Sequence, residues 1–251
     1  MKTPNRRITT PRTAIDGTHA LSADDKSSPT QSDPCSPPTP RAWKSPVAAI
    51  LFIAVAATAL AGDLWTKHAV FADLLTDADL PQRAAGVRQA LADQNGHDPA
   101  GRDVLHALQL HRPLALGVEV RLSTNPGVVF GLPMPRWLVQ VATVVTILLV
   151  GGFFATSGAR DRWLHVAAGL ILAGALGNLY DRLFAAVSLP GLDPIRYEVR
   201  DFLDFGAWGY PWVFNIADAW LVIGVVMVFI HWLRSVPSQL ASQAKQGKTH
   251  A

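Results

Sequence analysis

A small set of ionisable and amide side chains lies at the ends of long apolar runs in this sequence. Within each run, spacings of three and four residues place the set on one face of a helix. Its members are Asp63 with Lys67, Asn178 with Asp181 and Arg182, and Asn215 with Asp218. Burying an ionisable group in a bilayer costs at least about 2.5 kcal/mol, so each is a candidate for function. The structural alternative pairs Asp63 with Lys67 and Asp181 with Arg182.

Two carboxylates of the sequence suit acid–base chemistry. Asp218 lies inside an apolar run with no cation next to it, and Asp201 lies in the apolar segment 199–205, just before that run. Two neighbouring carboxylates do not both ionise readily, so one holds a proton while the other acts as a base. Such a pair can activate water and protonate a scissile carbonyl without any cofactor. On the residues alone, Asp181 is an equal candidate for the pair.

Other catalytic classes fit poorly. The eight histidines form no HExxH motif, which argues against a zinc peptidase, and there is neither a GxSxG motif nor a P-loop. A serine–lysine dyad would have to use Lys67 and Ser123, since Lys67 is the only lysine between Lys44 and Lys245. We therefore expect no metal and no cofactor. The single cysteine, Cys35, excludes an intramolecular disulfide.

Four apolar runs are long enough to position these residues in a membrane. A bilayer core of about 30 Å needs about 20 apolar residues as a helix. Only 16% of the residues are charged, against about 25% in an average soluble protein. Buried helices of a soluble bundle would usually carry a polar face, and the second run has none. The predicted spans are 47–66, 137–156, 163–182 and 213–234.

The distribution of charge predicts the orientation of these spans. Basic residues dominate before the first span and after the last, and they flank the short turn at 156–162. The two longer loops, 68–135 and 183–211, are acidic on balance. By the positive-inside rule, both termini are cytoplasmic and the two longer loops face outward. Tryptophans at the span ends agree with this interpretation: Trp137, Trp163, Trp212 and Trp232.

The remaining segments are polar or only locally patterned. Residues 1–44 are rich in proline, serine and threonine and are predicted to be a disordered cytoplasmic leader, as is the tail at 236–251. The first outward loop is unusually long, with helical patterns at 80–94 and 101–111 and a strand pattern at 117–122. A small extramembrane sheet is therefore expected on a four-helix membrane domain at 45–235.

Five short blocks along the chain resemble signal peptidase II, the bacterial prolipoprotein signal peptidase family. Each block is weak alone, but all five occur in order at the predicted membrane boundaries. They are DLWTK at 63–67, NPGVVFG at 125–131, GALGNLYDR at 174–182, VRDF at 199–202 and FNIAD at 214–218. The resemblance covers roughly residues 45–235. It implies an all-α membrane protein with four transmembrane helices and a small extramembrane β-sheet.

The resemblance also implies an activity. The family members are aspartic endopeptidases of the bacterial inner membrane that use no cofactor and bind no nucleic acid. They remove the signal peptide from diacylglyceryl-modified prolipoproteins by cutting just before the lipidated cysteine, at the outward face among membrane lipids. The catalytic pair of the family corresponds to Asp201 and Asp218. The choice of Asp201 over Asp181 thus comes from the resemblance, which makes Asp181 a structural partner to Arg182 or to a neighbouring amide.

Further roles carry over by the same resemblance. The polar groups that hold the substrate backbone and orient the aspartates correspond to Asn125, Gly127, Asn178, Arg182 and Asn215. Asp63 and Lys67 would support the site from the first helix. Gly174 and Gly177 would allow a close approach of helices or substrate.

The chain departs from the family pattern in places. Pro126 replaces a small or hydroxyl residue, Val129 replaces alanine, and both long loops are extended. These changes bear on substrate preference rather than on the reaction. Two alternatives stay open at this point: a non-enzymatic four-helix membrane protein, such as an assembly factor or transporter component, and an inactive relative.

Overall fold

The computed structural model of the chain describes residues 40–129 and 132–247. It contains six helices and eight short strands in the described residues. The helices are α1 (Pro46–Leu75), α2 (Leu80–Asn95), α3 (Gly101–Leu108), α4 (Arg136–Thr156), α5 (Arg162–Phe184) and α6 (Ile216–Gly247). The strands are β1 (His111–Pro113), β2 (Glu119–Asn125), β3 (Val128–Val129), β4 (Leu132–Pro133), β5 (Ala186–Val187), β6 (Ile195–Arg196), β7 (Val199–Asp204) and β8 (Val213–Phe214).

Four of the helices, α1, α4, α5 and α6, are long and apolar enough to cross a membrane. The prediction of four membrane-spanning helices is thus confirmed. Helix α5 lies at the centre of the bundle and packs against the other three. Small residues allow this packing: a Cβ added at Gly174 would collide with the Ala217 carbonyl, and one at Gly177 would collide with the Asp63 carboxylate. The predicted role of these two glycines in close helix approach agrees with the structure.

Three predicted boundaries differ from the structure. The fourth helix begins at Ile216 rather than at Val213, because Val213 and Phe214 pair with β7 as the short strand β8. The first helix continues to Leu75, where Phe71 packs into the extramembrane core. Helix α6 continues to Gly247, so the structure has helix where the sequence predicted an unstructured tail from 236.

The predicted leader lies mostly outside the described residues. Its last residues are folded: Ala42–Lys44 form a turn of 3₁₀ helix, and Ala42 is fully buried. The Ala42 N–H donates to the Ser157 carbonyl at 2.8 Å, which ties this turn to the end of α4. The leader prediction therefore does not hold for these residues, and residues 1–39 stay outside the description.

The expected extramembrane sheet has four antiparallel strands in the order β1-β2-β7-β8. The strand predicted at 117–122 is β2, and its buried face comprises Val120, Leu122 and Thr124, as the alternating pattern indicates. An irregularity between Val120 and Ser123 shifts the register, so that Ser123 lies opposite Asp201. The sheet thus places the centre of β7 above the end of the bundle, where β7 contacts α1 and α5.

A hydrophobic core outside the membrane holds the extended loops. Both predicted loop helices are present as α2 and α3, and they pack with β2 and the β5–β6 hairpin. Leu80, Val104 and Leu105 are almost fully buried at its centre. Arg88 of α2 contacts Asp98 through two nitrogens, at 2.7 and 2.5 Å, and the Gly191 carbonyl at 2.9 Å. The segments between α1 and α4 and between α5 and α6 therefore form one packed layer.

Candidate active site

Asp201 and Asp218 are held by a common asparagine. Asp201 lies in the middle of β7 and is only 3% exposed, whereas Asp218 lies in the first turn of α6 and is half-buried. Asn215, just before α6, donates from Nδ2 to Asp201 Oδ1 at 2.6 Å. Its backbone N–H donates to Asp218 Oδ2 at 3.3 Å, and its Oδ1 accepts from the Asp218 N–H at 3.1 Å. The structure thus brings the two predicted aspartates to one polar centre.

Asn178 of α5 links this centre to the first helix. Its Nδ2 donates to Asp218 Oδ1 at 2.7 Å. Its Oδ1 accepts from Asn215 Nδ2 and from Lys67 Nζ, both at 3.1 Å. These three hydrogen bonds fix the orientation of the amide, and the amide in turn orients Asp218.

Lys67 is fully buried among acceptors. Its ammonium lies 2.9 Å from Asp63 Oδ2 and 3.3 Å from Asp181 Oδ2, in addition to the contact with Asn178. Asp63 also accepts the Ala217 N–H at 2.8 Å, in the first turn of α6. The predicted pairing of Asp63 with Lys67 is present, and both residues also support the helix that carries Asp218. A serine–lysine dyad is not assembled, since the Ser123 hydroxyl contacts His106 Nε2 at 3.3 Å.

Asp181 has a different partner from the one predicted. It accepts from the Arg200 backbone N–H at 3.0 Å and from two Arg200 guanidinium nitrogens at 3.2 and 2.6 Å. Arg182 instead donates to the Asn178 carbonyl at 3.3 Å. Neighbours in a helix diverge by about 100°, which is why Arg182 does not face Asp181. Asp181 contacts β7 through Arg200, a residue that the sequence analysis did not single out, and its structural rather than catalytic role stays a prediction.

Asn125 and Gly127 lie at the end of β2. Asn125 pairs with Val199 in the sheet, two residues before Asp201 on β7. Its Oδ1 accepts the Gly127 N–H at 2.9 Å, which closes a tight turn around Pro126. Gly127 has a φ of +120°, a region that side chains with a Cβ rarely adopt. The glycine is therefore required by the turn that presents Asn125.

The electrostatic environment of Asp201 and Asp218 favours a state in which the two carboxyl groups together hold one proton. Burial raises the pKa of Asp201 to about 8, and the nearby Asp218 charge acts in the same direction. The hydrogen bond from Asn215 and the charges of Lys67 and Arg182 oppose this rise. This rise favours the protonated form of Asp201 at neutral pH, as expected where two carboxyl groups lie close together.

An apolar cavity of about 510 Å³ adjoins Asp218. Its other lining residues are Phe205, Trp208, Tyr210, Phe214, Ala219, Val222 and Ile223. The sequence analysis missed this cavity, although the density of aromatic residues between 205 and 214 was a usable signal. A carboxylate on the wall of an apolar cavity can reach a polar group in an otherwise apolar ligand.

The described part of the chain has no group of three or more His, Cys, Asp or Glu side chains that could hold a metal ion. The polar centre instead consists of two carboxylates, two amides and buried cations. Such a set can hold and transfer protons at a substrate carbonyl and a water molecule.

Comparisons with known proteins place the chain in a family. Residues 55–234 match the family model described as signal peptidase (SPase) II. The lipoprotein signal peptidase of Bacillus pumilus is 38% identical over 112 residues, and that of Desulfitobacterium hafniense is 40% identical over 109. These matches cover 43% and 42% of this chain and 64% and 62% of the two relatives, just under two thirds of their length.

A longer match is found with the lipoprotein signal peptidase of Rhodopirellula baltica, which is 33% identical over 186 residues. That match covers 72% of this chain and 70% of the relative. With four helices that can cross a membrane and a family match over most of the bundle, the chain is a multi-pass membrane protein that belongs to the signal peptidase II family.

Proposed function

We propose that this protein is an aspartic endopeptidase that removes the signal peptide from diacylglyceryl-modified prolipoproteins. It would cut the peptide bond just before the lipidated cysteine. The proposal rests on one observation: Asn215 donates hydrogen bonds to both Asp201 and Asp218, and Asp218 lines an apolar cavity. The names of the curated relatives, all lipoprotein signal peptidases, support the choice of substrate class.

The chemistry follows from the charge states of the pair. Asp218, ionised, takes a proton from a water molecule as the water oxygen attacks the scissile carbonyl carbon. Asp201, protonated, gives its proton to the carbonyl oxygen, and a neutral tetrahedral diol results. The proton on Asp218 then passes to the amide nitrogen, the C–N bond breaks, and Asp201 recovers a proton from the diol. The pair ends in its starting state and no cofactor takes part.

The neighbouring amides and cations orient the two carboxyl groups and stabilise their charge during this cycle. Asn178 and Asn215 donate to the two carboxylates and thereby fix the oxygens that face the substrate. Arg182 and Lys67 stabilise the single negative charge that the pair keeps throughout. Asn125 and Gly127, at the end of β2, would bind the backbone of an extended substrate, whose polar groups need partners in place of water.

The cavity beside Asp218 suits an apolar substrate. Its volume of about 510 Å³ and its aromatic and aliphatic walls would accept an acyl chain or apolar side chains next to the scissile bond. Its wall includes Val222 and Ile223 of α6, so a ligand could enter it from the lipid phase. This placement fits a substrate that is itself anchored in the bilayer.

The charge pattern of the loops supports an orientation. We place both termini in the cytoplasm, with the sheet, α2 and α3 on the outward face of the bacterial inner membrane. The aspartate pair then lies at the outer surface of the bilayer, where a signal peptide ends after translocation.

A gel-shift assay tests this function. The full chain, purified in detergent, would receive a diacylglyceryl-modified prolipoprotein or the unmodified precursor. Cleavage of only the modified precursor is the expected result. If the well-folded protein cleaves neither, it is a non-enzymatic membrane protein. If it cleaves both equally, the lipid is not part of what it recognises.

A further inference from the structure

A second cavity lies in the extramembrane layer, away from the aspartate pair. It has a volume of about 770 Å³ and lies between α2, α3, the β5–β6 loop and the start of α4. Four arginines line it: Arg88, Arg102, Arg136 and Arg196. Three carboxylates also line it: Asp98, Asp193 and Glu198. The cavity is therefore strongly polar, with a net positive charge.

The carboxylates are concentrated on two of the arginines. Arg88 binds both oxygens of Asp98, and the charge of Asp193 acts on it as well. Arg102 donates to Glu198 at 2.9 Å. These contacts neutralise the charges of Arg88 and Arg102.

The other two arginines have no carboxylate partner among residues 40–129 and 132–247. Within the described residues, the Arg136 guanidinium carbon lies 5.9 Å from the centre of the Tyr197 ring, and neither Arg136 nor Arg196 forms an ion pair or a side-chain hydrogen bond. Both side chains are exposed and line the same cavity. Two guanidinium groups that line one cavity can form a site for an oxyanion, since each can bind it through two parallel hydrogen bonds.

The backbone at this wall is strained. Tyr197, directly after Arg196, has a φ of +66°, which costs a residue with a Cβ on the order of 1 kcal/mol or more. The exposed ring of Tyr197 lies against the Arg136 guanidinium in this conformation.

The position of the wall indicates which oxyanion it meets. Arg136 is the first residue of α4, a helix that can cross a membrane, so its guanidinium lies at the level where lipid headgroups begin. Exposed Tyr197 and Trp137 beside it are the aromatic residues typical of this interface. At this level, phosphate groups belong to phospholipid headgroups. Inorganic phosphate would instead enter the cavity from the aqueous side.

We propose that Arg136 and Arg196 form a binding site for the phosphate of an anionic phospholipid headgroup. The lipid would lie with its acyl chains along α4 and its headgroup in the cavity. This site is separate from the aspartate pair and does not depend on the proposed peptidase activity. It would fasten the extramembrane layer, with its two loop insertions, to the bilayer surface.

Native mass spectrometry of the full chain in detergent tests the site. The probes are phosphatidylglycerol and phosphatidylcholine with the same acyl chains, and inorganic phosphate as a competitor. Each juxtamembrane arginine contributes about fivefold to the binding of an anionic lipid, so we expect phosphatidylglycerol to bind about 25-fold more tightly than phosphatidylcholine. The single variants Arg136→Gln and Arg196→Gln should each lose about fivefold, and the double variant should abolish the preference.

A matched control removes two other exposed arginines of the same layer. Arg83 and Arg112 line a different cavity and pair with Asp77 and Asp73. The Arg83→Gln/Arg112→Gln variant has the same net charge as the double variant above and should keep the preference. Equal binding of the two lipids by the wild type would overturn the proposal, as would an equal loss in the control. Displacement of the lipid by inorganic phosphate at stoichiometric concentration would overturn its assignment to a lipid.

Discussion

Asn215, the residue directly before the helix that carries Asp218, donates a 2.6 Å hydrogen bond to Asp201. One amide thus joins a strand of the extramembrane sheet to a helix of the membrane bundle. The two carboxylates come from elements of different kinds, and their relative position depends on this junction. The testable consequences concern the proton on the pair, the buried ion pairs beneath it and the helix packing that supports both.

The pH dependence of cleavage should report the proton on Asp201. Its pKa of about 8 means that the carboxyl is protonated at neutral pH and ionises as the pH rises through about 8. Two ionised carboxylates leave no acid for the carbonyl oxygen, so the rate should fall about tenfold per pH unit on the alkaline side. Initial rates between about pH 6 and pH 10 measure this, with a thermal melt at each pH as a control for folding. A rate that stays level or rises across this range would contradict the assignment of Asp201 as the acid.

Asp181→Asn should act through stability. The substitution removes a buried charge that meets both Lys67 and the Arg200 guanidinium, and it leaves those cations short of a partner. The cost of breaking a buried ion pair is about 3–5 kcal/mol. We expect a large drop in melting temperature, with activity lost in proportion. Asp93→Asn, at an exposed position of α2, should change stability by less than about 0.5 kcal/mol. An Asp181→Asn protein that melts normally but is inactive would place Asp181 in the chemistry instead.

Gly177→Ala should separate α5 from α1. An added Cβ would collide with the Asp63 carboxylate, which also contacts Lys67 and the Ala217 N–H. Overpacking of this kind typically costs about 1–3 kcal/mol, and the displaced Asp63 would disturb the first turn of α6. Gly152→Ala in α4 is the matched control, since nothing lies within 4 Å of its added Cβ. Equal thermal stability of the two variants would show that the close approach at Gly177 is not needed.

Part of this arrangement could be predicted from local pattern. Hydropathy and length gave the four spans, and the spacing of four residues gave the pairing of Asp63 with Lys67. The alternation at 117–122 gave the buried face of β2. In each case the residues that decide the feature lie within one helix or strand, so the periodicity of the sequence is enough to predict it.

Other features depend on how the chain returns on itself. Arg200 lies 19 positions after Asp181, beyond the end of α5 and the β5–β6 hairpin, and no spacing rule connects the two residues. Val213 and Phe214 are as apolar as a span, but the free edge of β7 pairs with them, and α6 begins only at Ile216. The choice between Asp181 and Asp201 as the second aspartate rested on family resemblance for the same reason. In the structure, Asp181 forms ion pairs with Lys67 and Arg200. Asp201 instead accepts a hydrogen bond from Asn215, which also contacts Asp218.

The most direct test of the central claim compares three Asp→Asn variants in the cleavage assay. Asp201→Asn and Asp218→Asn should each lower the rate at least about a thousandfold, since each removes an acid or base that the other cannot replace. Both should still insert into membranes. Asp204→Asn, on the same strand as Asp201 but paired with Arg121, should remain active. Full cleavage of the modified precursor by either of the first two variants would contradict the account of Asp201 and Asp218 as the catalytic pair.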